Sequence, residues 1–122
     1  MENYNRAISC IKTLLNDSKI IVAAFVSPEI EQRNWVKNQF QIDGIHFYEV
    51  FIEASLETCQ SRDVKGLYKR YSNEEDIKLA GLTEEYQKPK NPDLICNTDA
   101  ENIQECVYRI LLFLRKFSVI SR

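Results

Sequence analysis

Seven consecutive apolar residues, from Ile20 to Val26, constrain the fold of this 122-residue chain more than any other segment. A continuous apolar run of this length is typical of a strand buried on both faces, as in a parallel sheet flanked by helices. Ser27 and Pro28 end the run, and proline is well tolerated in the first turn of a helix. The run therefore predicts an α/β fold in which this strand lies between layers of helices.

The remainder of the chain alternates between helical and strand patterns. Apolar residues recur at helical spacing in the segments 7–15, 29–40 and 103–117. Aromatic and β-branched residues predict a second strand over 46–52, and a third, shorter strand is expected over 92–97. Such an alternation favours a parallel sheet with helical crossovers, and the length of the chain suits a single domain, 1–122.

Local signals predict where the shorter elements begin. Ser55 is expected to cap a short helix that reaches Arg62. Thr98 and Glu101 match the capping-box pattern, which would start the last helix at this point. Between these two helices residues 63–91 are polar and follow no single period, so we expect a lid or a surface loop there.

Composition and charge exclude several classes of protein. The net charge of −2 argues against a nucleic-acid partner bound through counterion release. No apolar run approaches the ~20 residues of a membrane span, and the polar N-terminus lacks a signal-peptide core. We therefore expect no membrane partner and a cytoplasmic location. With four dispersed cysteines, no CxxC pair and one histidine, we also expect reduced thiols and no metal site.

Ligands of open parallel sheets bind beyond the carboxyl ends of the strands. This rule selects three segments of the predicted fold, 27–28, 53–55 and 97–99. Within the predicted lid, Lys65 belongs to a cluster of cations that reaches Arg70 and is suited to phosphate or sulfate. The alternative for this cluster is a solvated surface, and the alternative for Ser27 with Pro28 is an ordinary helix start.

Several sequence blocks, in the same order along the chain, resemble those of adenylyl-sulfate kinases. The most specific is the stretch from Asp63 to Arg70, and further similar blocks are 3–6, 24–28, 49–52, 56–59, 77–78, 85–89, 91–94 and 105–107. Together they cover nearly the whole chain, but only the C-terminal two-thirds of the family's domain. The resemblance implies a three-layer, P-loop-kinase-like fold with a parallel sheet, here truncated, without the family's N-terminal strand and phosphate loop.

The resemblance also implies an activity. Members of this family transfer the γ-phosphate of ATP to the 3′-hydroxyl of adenylyl sulfate in sulfate assimilation. Adenylyl sulfate is therefore the implied substrate, and ATP and Mg²⁺ are the implied cofactors. No segment of the 122 residues matches G-x-x-x-x-G-K-[ST], the motif of the loop that holds the phosphates of ATP. We therefore expect this chain to be inactive alone.

Matching positions carry the family's roles over to this sequence. Substrate contacts are implied for Glu2, Asn3, Val26, Ser27, Lys65 and Leu79. Ser27 matches a serine that is assigned a phosphoserine intermediate in bacterial members, although direct in-line transfer needs no protein nucleophile. Leu79 stands near the position of a phenylalanine that stacks on adenine in the family. The segment beside the ATP base is matched by Thr98, Asp99 and Ala100.

Two alternatives to an adenylyl-sulfate kinase-like protein that is inactive alone remain open. One is a non-catalytic nucleotide-binding or regulatory remnant, and the other is one half of a split kinase that a partner chain completes. In the family the strand before the phosphate loop is central, so its loss would leave two strand edges about 10 Å apart, twice the pairing distance of ~4.8 Å. We expect one of three outcomes: the flanking strands pair directly, a complementing N-terminal chain donates the strand, or a homodimer forms.

Overall fold

The computed structural model describes residues 2–16, 20–63, 66, 69, 85–117 and 119. The elements in these ranges are α1 (Glu2–Leu15), α2 (Ile30–Gln41), β1 (Val50–Glu53), α3 (Leu56–Arg62), β2 (Leu94–Asn97) and α4 (Ile103–Lys116). They fall into two compact units, 1–47 and 48–122. The single domain and the lid stay predictions, and most of the lid lies outside the described residues.

The first unit is built from the packing of α1 against α2. Its buried residues among those described are Ile8 on α1 and Phe40 on α2. The Phe40 ring stacks on that of Phe47 with 5.8 Å between centroids. Lys12 on α1 lies 5.8 Å above the Phe40 ring, and its ammonium nitrogen is 2.5 Å from a carboxylate oxygen of Asp43. The end of α2 is therefore held to α1 by both apolar and ionic contacts.

A turn at residues 42–44 follows α2, and it depends on glycine. Gly44 has a φ of 71°, a left-handed conformation that glycine adopts without a steric penalty. In this conformation its N–H donates to the carbonyl of Gln41 at 3.0 Å, and the N–H of Ile45 donates to that of Phe40 at 3.0 Å. These bonds satisfy the last carbonyls of α2 and stop the helix.

The apolar run from Ile20 to Val26 is not a strand, so this prediction is wrong. Most of its side chains are exposed, with Val22 at 89% and Phe25 at 57% of their maximal accessible area. A strand is defined by its backbone partners, and among the described residues the sheet contains β1 and β2 only. High β propensity cannot make a strand where there is no ladder to join. The α/β class holds, with a sheet smaller than expected.

The sheet is parallel, and both strands are shorter than the segments predicted for them. Val50 pairs with Leu94 at one end and Glu53 with Asn97 at the other. One face is covered by α4, where the fully buried Cys96 meets Cys106. Burial raises the pKa of the Cys96 thiol, and its hydrogen bond with Cys106 raises it further. Both thiols are free, and Cys96 fills this contact as a small neutral apolar group.

The helix α4 begins four residues later than the capping box predicts. Its N-cap is Asn102, whose side-chain oxygen accepts from the N–H of Glu105 at 2.8 Å. The predicted capping box is wrong because its two side chains have other partners. The Thr98 hydroxyl donates to the Glu53 carbonyl, and the Glu101 carboxylate accepts from Arg109. None of the helices in the described ranges has the length and apolarity that a membrane span requires.

Candidate functional site

Ser27 follows the apolar run in an unusual backbone conformation. Its φ is 41°, in the left-handed region that L residues avoid unless their neighbours hold them there. Two neighbours contact it. The Tyr4 hydroxyl donates to Ser27 Oγ at 3.1 Å, and the Arg33 guanidinium donates to the Ser27 carbonyl at 2.6 Å. We call Tyr4, Ser27 and Arg33 the Ser27 cluster.

The Ser27 cluster brings two predicted site segments together. Glu2 and Asn3 lie in the first turn of α1, beside Tyr4, and Val26 precedes Ser27. Glu2 is paired with Arg6 at 2.7 Å, but both side chains are more than 70% exposed, and such pairs contribute less than about 1 kcal/mol. The Glu2 carboxylate therefore stays open to solvent at the start of the helix.

Sequence reasoning did not single out the two side chains that hold Ser27. Tyr4 enters the sequence argument only within the block 3–6, which is similar to the family. Arg33 lies in the first turn of α2, in a segment for which the sequence pattern predicts only a helix. Its contact runs to a backbone carbonyl six residues earlier, and no side-chain pattern reports such a bond.

A second group of polar residues lies where β1 and β2 end. The N–H and the hydroxyl of Thr98 both donate to the Glu53 carbonyl at 2.8 Å. Both carboxylate oxygens of Asp99 accept from the N–H of Ser55 at 3.2 Å. The two predicted segments, 53–55 and 97–99, therefore meet, as expected for the carboxyl ends of parallel strands. We call Glu53, Ser55, Arg62, Thr98 and Asp99 the strand-end cluster.

The helix α3 is docked on the strand-end cluster. Ser55 caps it by accepting from the Thr58 N–H at 3.1 Å, which confirms the predicted cap. At the other end of α3, Arg62 donates to the Thr98 hydroxyl at 3.0 Å and to the Thr98 carbonyl at 2.8 Å. The polar atoms of Thr98 thus connect α3 to the end of β1. Asp99 and Ala100 are exposed in the following turn, and their role beside a nucleotide base stays a prediction.

An ion pair closes the outer edge of β2. Arg109 donates to both carboxylate oxygens of Glu101, at 2.6 and 2.8 Å, and to the Ile95 carbonyl at 2.9 Å. Glu101 in turn accepts from the Asn97 N–H at 3.0 Å. Alternate residues of a strand bond to opposite sides, so Ile95 and Asn97 face away from β1. The Ile95 carbonyl and the Asn97 N–H are therefore bonded to side chains and not to another strand.

Acid should destabilise the protein through these two carboxylates. Hydrogen bonds from Thr58 and then Ser55 lower the pKa of Asp99, and those from Arg109 and then Asn97 lower the pKa of Glu101. Between the lowered pKa values and the ordinary ones near about 4, the unfolded chain binds more protons than the folded protein. The contribution of these two carboxylates to the free energy of unfolding should be constant above about pH 5 and should fall as the pH drops to 3.

Urea unfolding at a series of pH values measures this effect. The Asp99→Asn and Glu101→Gln variants should each be less stable near neutral pH and lose less stability on acidification. The matched control is Glu57→Gln, on the exposed surface of α3. Variants whose stability falls with pH as steeply as that of the native sequence would contradict the assignment.

The described residues do not fit the phosphates of ATP or Mg²⁺. Among them, no group of three or more His, Cys, Asp or Glu side chains is placed to hold a metal. The glycine-rich loop that surrounds a triphosphate with backbone N–H groups does not occur in the 122 residues. Lys65 and Leu79, both predicted substrate contacts, lie outside the described residues.

Comparisons with known proteins point to one family. The family model for adenylylsulphate kinase matches residues 1–97. The adenylyl-sulfate kinase of Clostridium kluyveri is 34% identical over 114 residues, which cover 93% of this chain and 56% of that protein. The adenylyl-sulfate kinase of Marinobacter nauticus is 33% identical over 121 residues, which cover 99% of this chain and 60% of that protein.

A solved structure shares the fold. The APS kinase of Mycobacterium tuberculosis, solved in complex with AMPPNP and APS, superposes with a TM-score of 0.86 at 32% sequence identity. The match covers 93% of this chain and 65% of that one. The chain therefore spans between 56% and 65% of the length of these similar proteins.

Proposed function

Because the chain belongs to the adenylylsulphate kinase family, we propose that these 122 residues form the adenylyl-sulfate side of such a kinase. The substrate contacts are Glu2, Asn3, Val26, Ser27, Lys65 and Leu79. The observation that supports this most is the Ser27 cluster. Its 3.1 Å bond between Tyr4 and Ser27 joins two of the contact segments, which are distant in the sequence.

The strand-end cluster serves the nucleotide donor. Thr98, Asp99 and Ala100 lie beside the base of ATP. This assignment is supported by their place in a turn at the carboxyl end of two parallel strands, where ligands of such sheets bind. Because Thr98 is engaged by Glu53 and Arg62, the exposed backbone of the turn contacts the base.

Catalysis requires more than these residues provide. Transfer of a γ-phosphate to the 3′-hydroxyl of adenylyl sulfate depends on positioning and on neutralising charge at the phosphates. We propose that polypeptide outside the 122 residues, in the same chain or in a partner chain, supplies the phosphate loop. A homodimer would repeat a sequence that has no such loop, so it does not complete the site.

Binding of adenylyl sulfate, measured by isothermal calorimetry, tests the proposal. The chain should bind adenylyl sulfate, and Lys65→Ala should weaken the binding by about 10- to 100-fold, because a charge-assisted hydrogen bond contributes roughly 1.5–3 kcal/mol. Lys90→Ala, which removes an exposed cation outside the proposed contacts, should leave the affinity unchanged. No heat of binding with the native sequence, or equal affinities for it and Lys65→Ala, would contradict the proposal.

A further inference from the structure

We propose that Tyr4 and Arg33 are positioning residues, which present the Ser27 hydroxyl to adenylyl sulfate as a hydrogen-bond donor. The inference rests on the proposed function and adds to it. It gives a role to two side chains that are not among the predicted substrate contacts. It also gives Ser27 a binding role in which no covalent bond is formed.

Arg33 fixes the backbone of the turn. Its guanidinium donates to the Ser27 carbonyl at 2.6 Å, a short charge-assisted bond. Pro28 follows with a φ restricted by its ring and without an N–H to bond elsewhere. The left-handed Ser27, at a φ of 41°, is therefore held by a restricted residue and by a side chain from α2. This conformation sets the direction in which the Ser27 side chain leaves the turn.

Tyr4 sets the direction of the hydroxyl proton. A serine hydroxyl has one proton and two lone pairs. The Tyr4 hydroxyl donates to Ser27 Oγ at 3.1 Å and so occupies one lone pair. The Ser27 proton is then directed away from Tyr4, toward an acceptor such as a sulfate or phosphate oxygen. The Tyr4 ring also contacts the ring of Phe25, with 6.1 Å between the centroids.

The same geometry does not activate Ser27 as a nucleophile. A serine nucleophile needs a base that accepts its proton, usually an imidazole or a carboxylate. Among the described residues, the side-chain partner of the Ser27 hydroxyl is the phenol of Tyr4, which donates to it. An oxygen that accepts from a phenol is made less nucleophilic. The arrangement thus suits binding of the substrate and leaves phosphoryl transfer direct.

A double-mutant cycle, with adenylyl sulfate as the calorimetric ligand, tests the inference. Tyr4→Phe removes the hydroxyl and keeps the ring, and it should weaken binding about fivefold, the equivalent of one ordinary hydrogen bond. Ser27→Ala should weaken binding by a similar factor. In the Ser27→Ala background, Tyr4→Phe should have no further effect, because Tyr4 acts through the Ser27 hydroxyl. Tyr108→Phe, an exposed tyrosine on α4, is the control.

Each other outcome overturns the inference. If Tyr4→Phe weakens binding equally in both backgrounds, Tyr4 acts on the fold or the ligand and not through Ser27. If either single variant binds like the native sequence, the Ser27 hydroxyl is not presented as a donor. If Tyr4→Phe or Ser27→Ala binds like the native sequence but Lys65→Ala still binds more weakly, the proposed function stands and only the inference fails. If the native sequence binds no adenylyl sulfate, both fail.

Discussion

Phe40→Ala is expected to cost about 3–5 kcal/mol in the free energy of unfolding, as for other buried phenylalanines. Phe40 is 4% exposed, and its ring contacts Phe47 and lies below the ammonium of Lys12. Alanine would leave a cavity between α1 and α2 and would break both contacts. Because a domain of this size is stable by about 5–15 kcal/mol, the variant should be close to unfolding at 25 °C. Urea denaturation followed by circular dichroism measures the loss.

The matched control is Phe25→Ala in the same unit. Phe25 is 57% exposed, so its truncation leaves no enclosed cavity and should cost about 1 kcal/mol or less. Hydrogen exchange would locate the effect, since the amides of α1 and α2 should lose protection in Phe40→Ala. Equal losses of stability in the two variants would show that Phe40 is not the packing centre of this unit.

The helices were predicted well because their signals are local. Ser55 caps α3 through a bond to Thr58 three residues away, and both residues are visible in the sequence. Gly44 ends α2 by adopting a left-handed conformation, which glycine can adopt because it has no Cβ. In both cases the deciding contact lies within one helical turn, so neighbouring residues contain the information.

The strands were predicted less well because their partners are distant. The run from Ile20 to Val26 has the composition of a buried strand, yet it forms none. The outer edge of β2 is bonded to Arg109 on α4 and to Glu101 in the turn before it, two residues that are eight positions apart. Pairing and edge closure depend on tertiary contacts, which hydrophobic patterns do not report.

The failed capping box shows the same competition at a single position. Thr98 and Glu101 have the right spacing to start a helix. The Thr98 hydroxyl instead donates to Glu53, 45 residues earlier, and Glu101 binds Arg109. Asn102 then caps α4. Tertiary partners that use the whole hydrogen-bonding capacity of a side chain override a local motif.

The 122 residues by themselves are expected to form no 3′-phosphoadenylyl sulfate from ATP and adenylyl sulfate. Removing a single donor to a developing oxyanion slows enzymes by about 10²- to 10³-fold, and the missing loop would supply several donors and a lysine at once. The combined loss should place any turnover below detection. Supplying a separate polypeptide that contains the loop should restore product.

The control for restoration is the same polypeptide with the loop lysine changed to alanine, which should restore little or none. Without added protein, the mixture of nucleotides sets the background. A loop variant that restores as much product as the unchanged loop would show that the added polypeptide acts by folding the chain and not by holding phosphates.

The most direct test is transfer of a labelled γ-phosphate from ATP to adenylyl sulfate by the purified 122-residue chain, with Mg²⁺ present. The chain alone should form no labelled product above the protein-free background, and labelled product should appear once the loop-bearing polypeptide is added. Product formed by the 122 residues alone would contradict this expectation, because these residues would then hold a triphosphate without a phosphate loop.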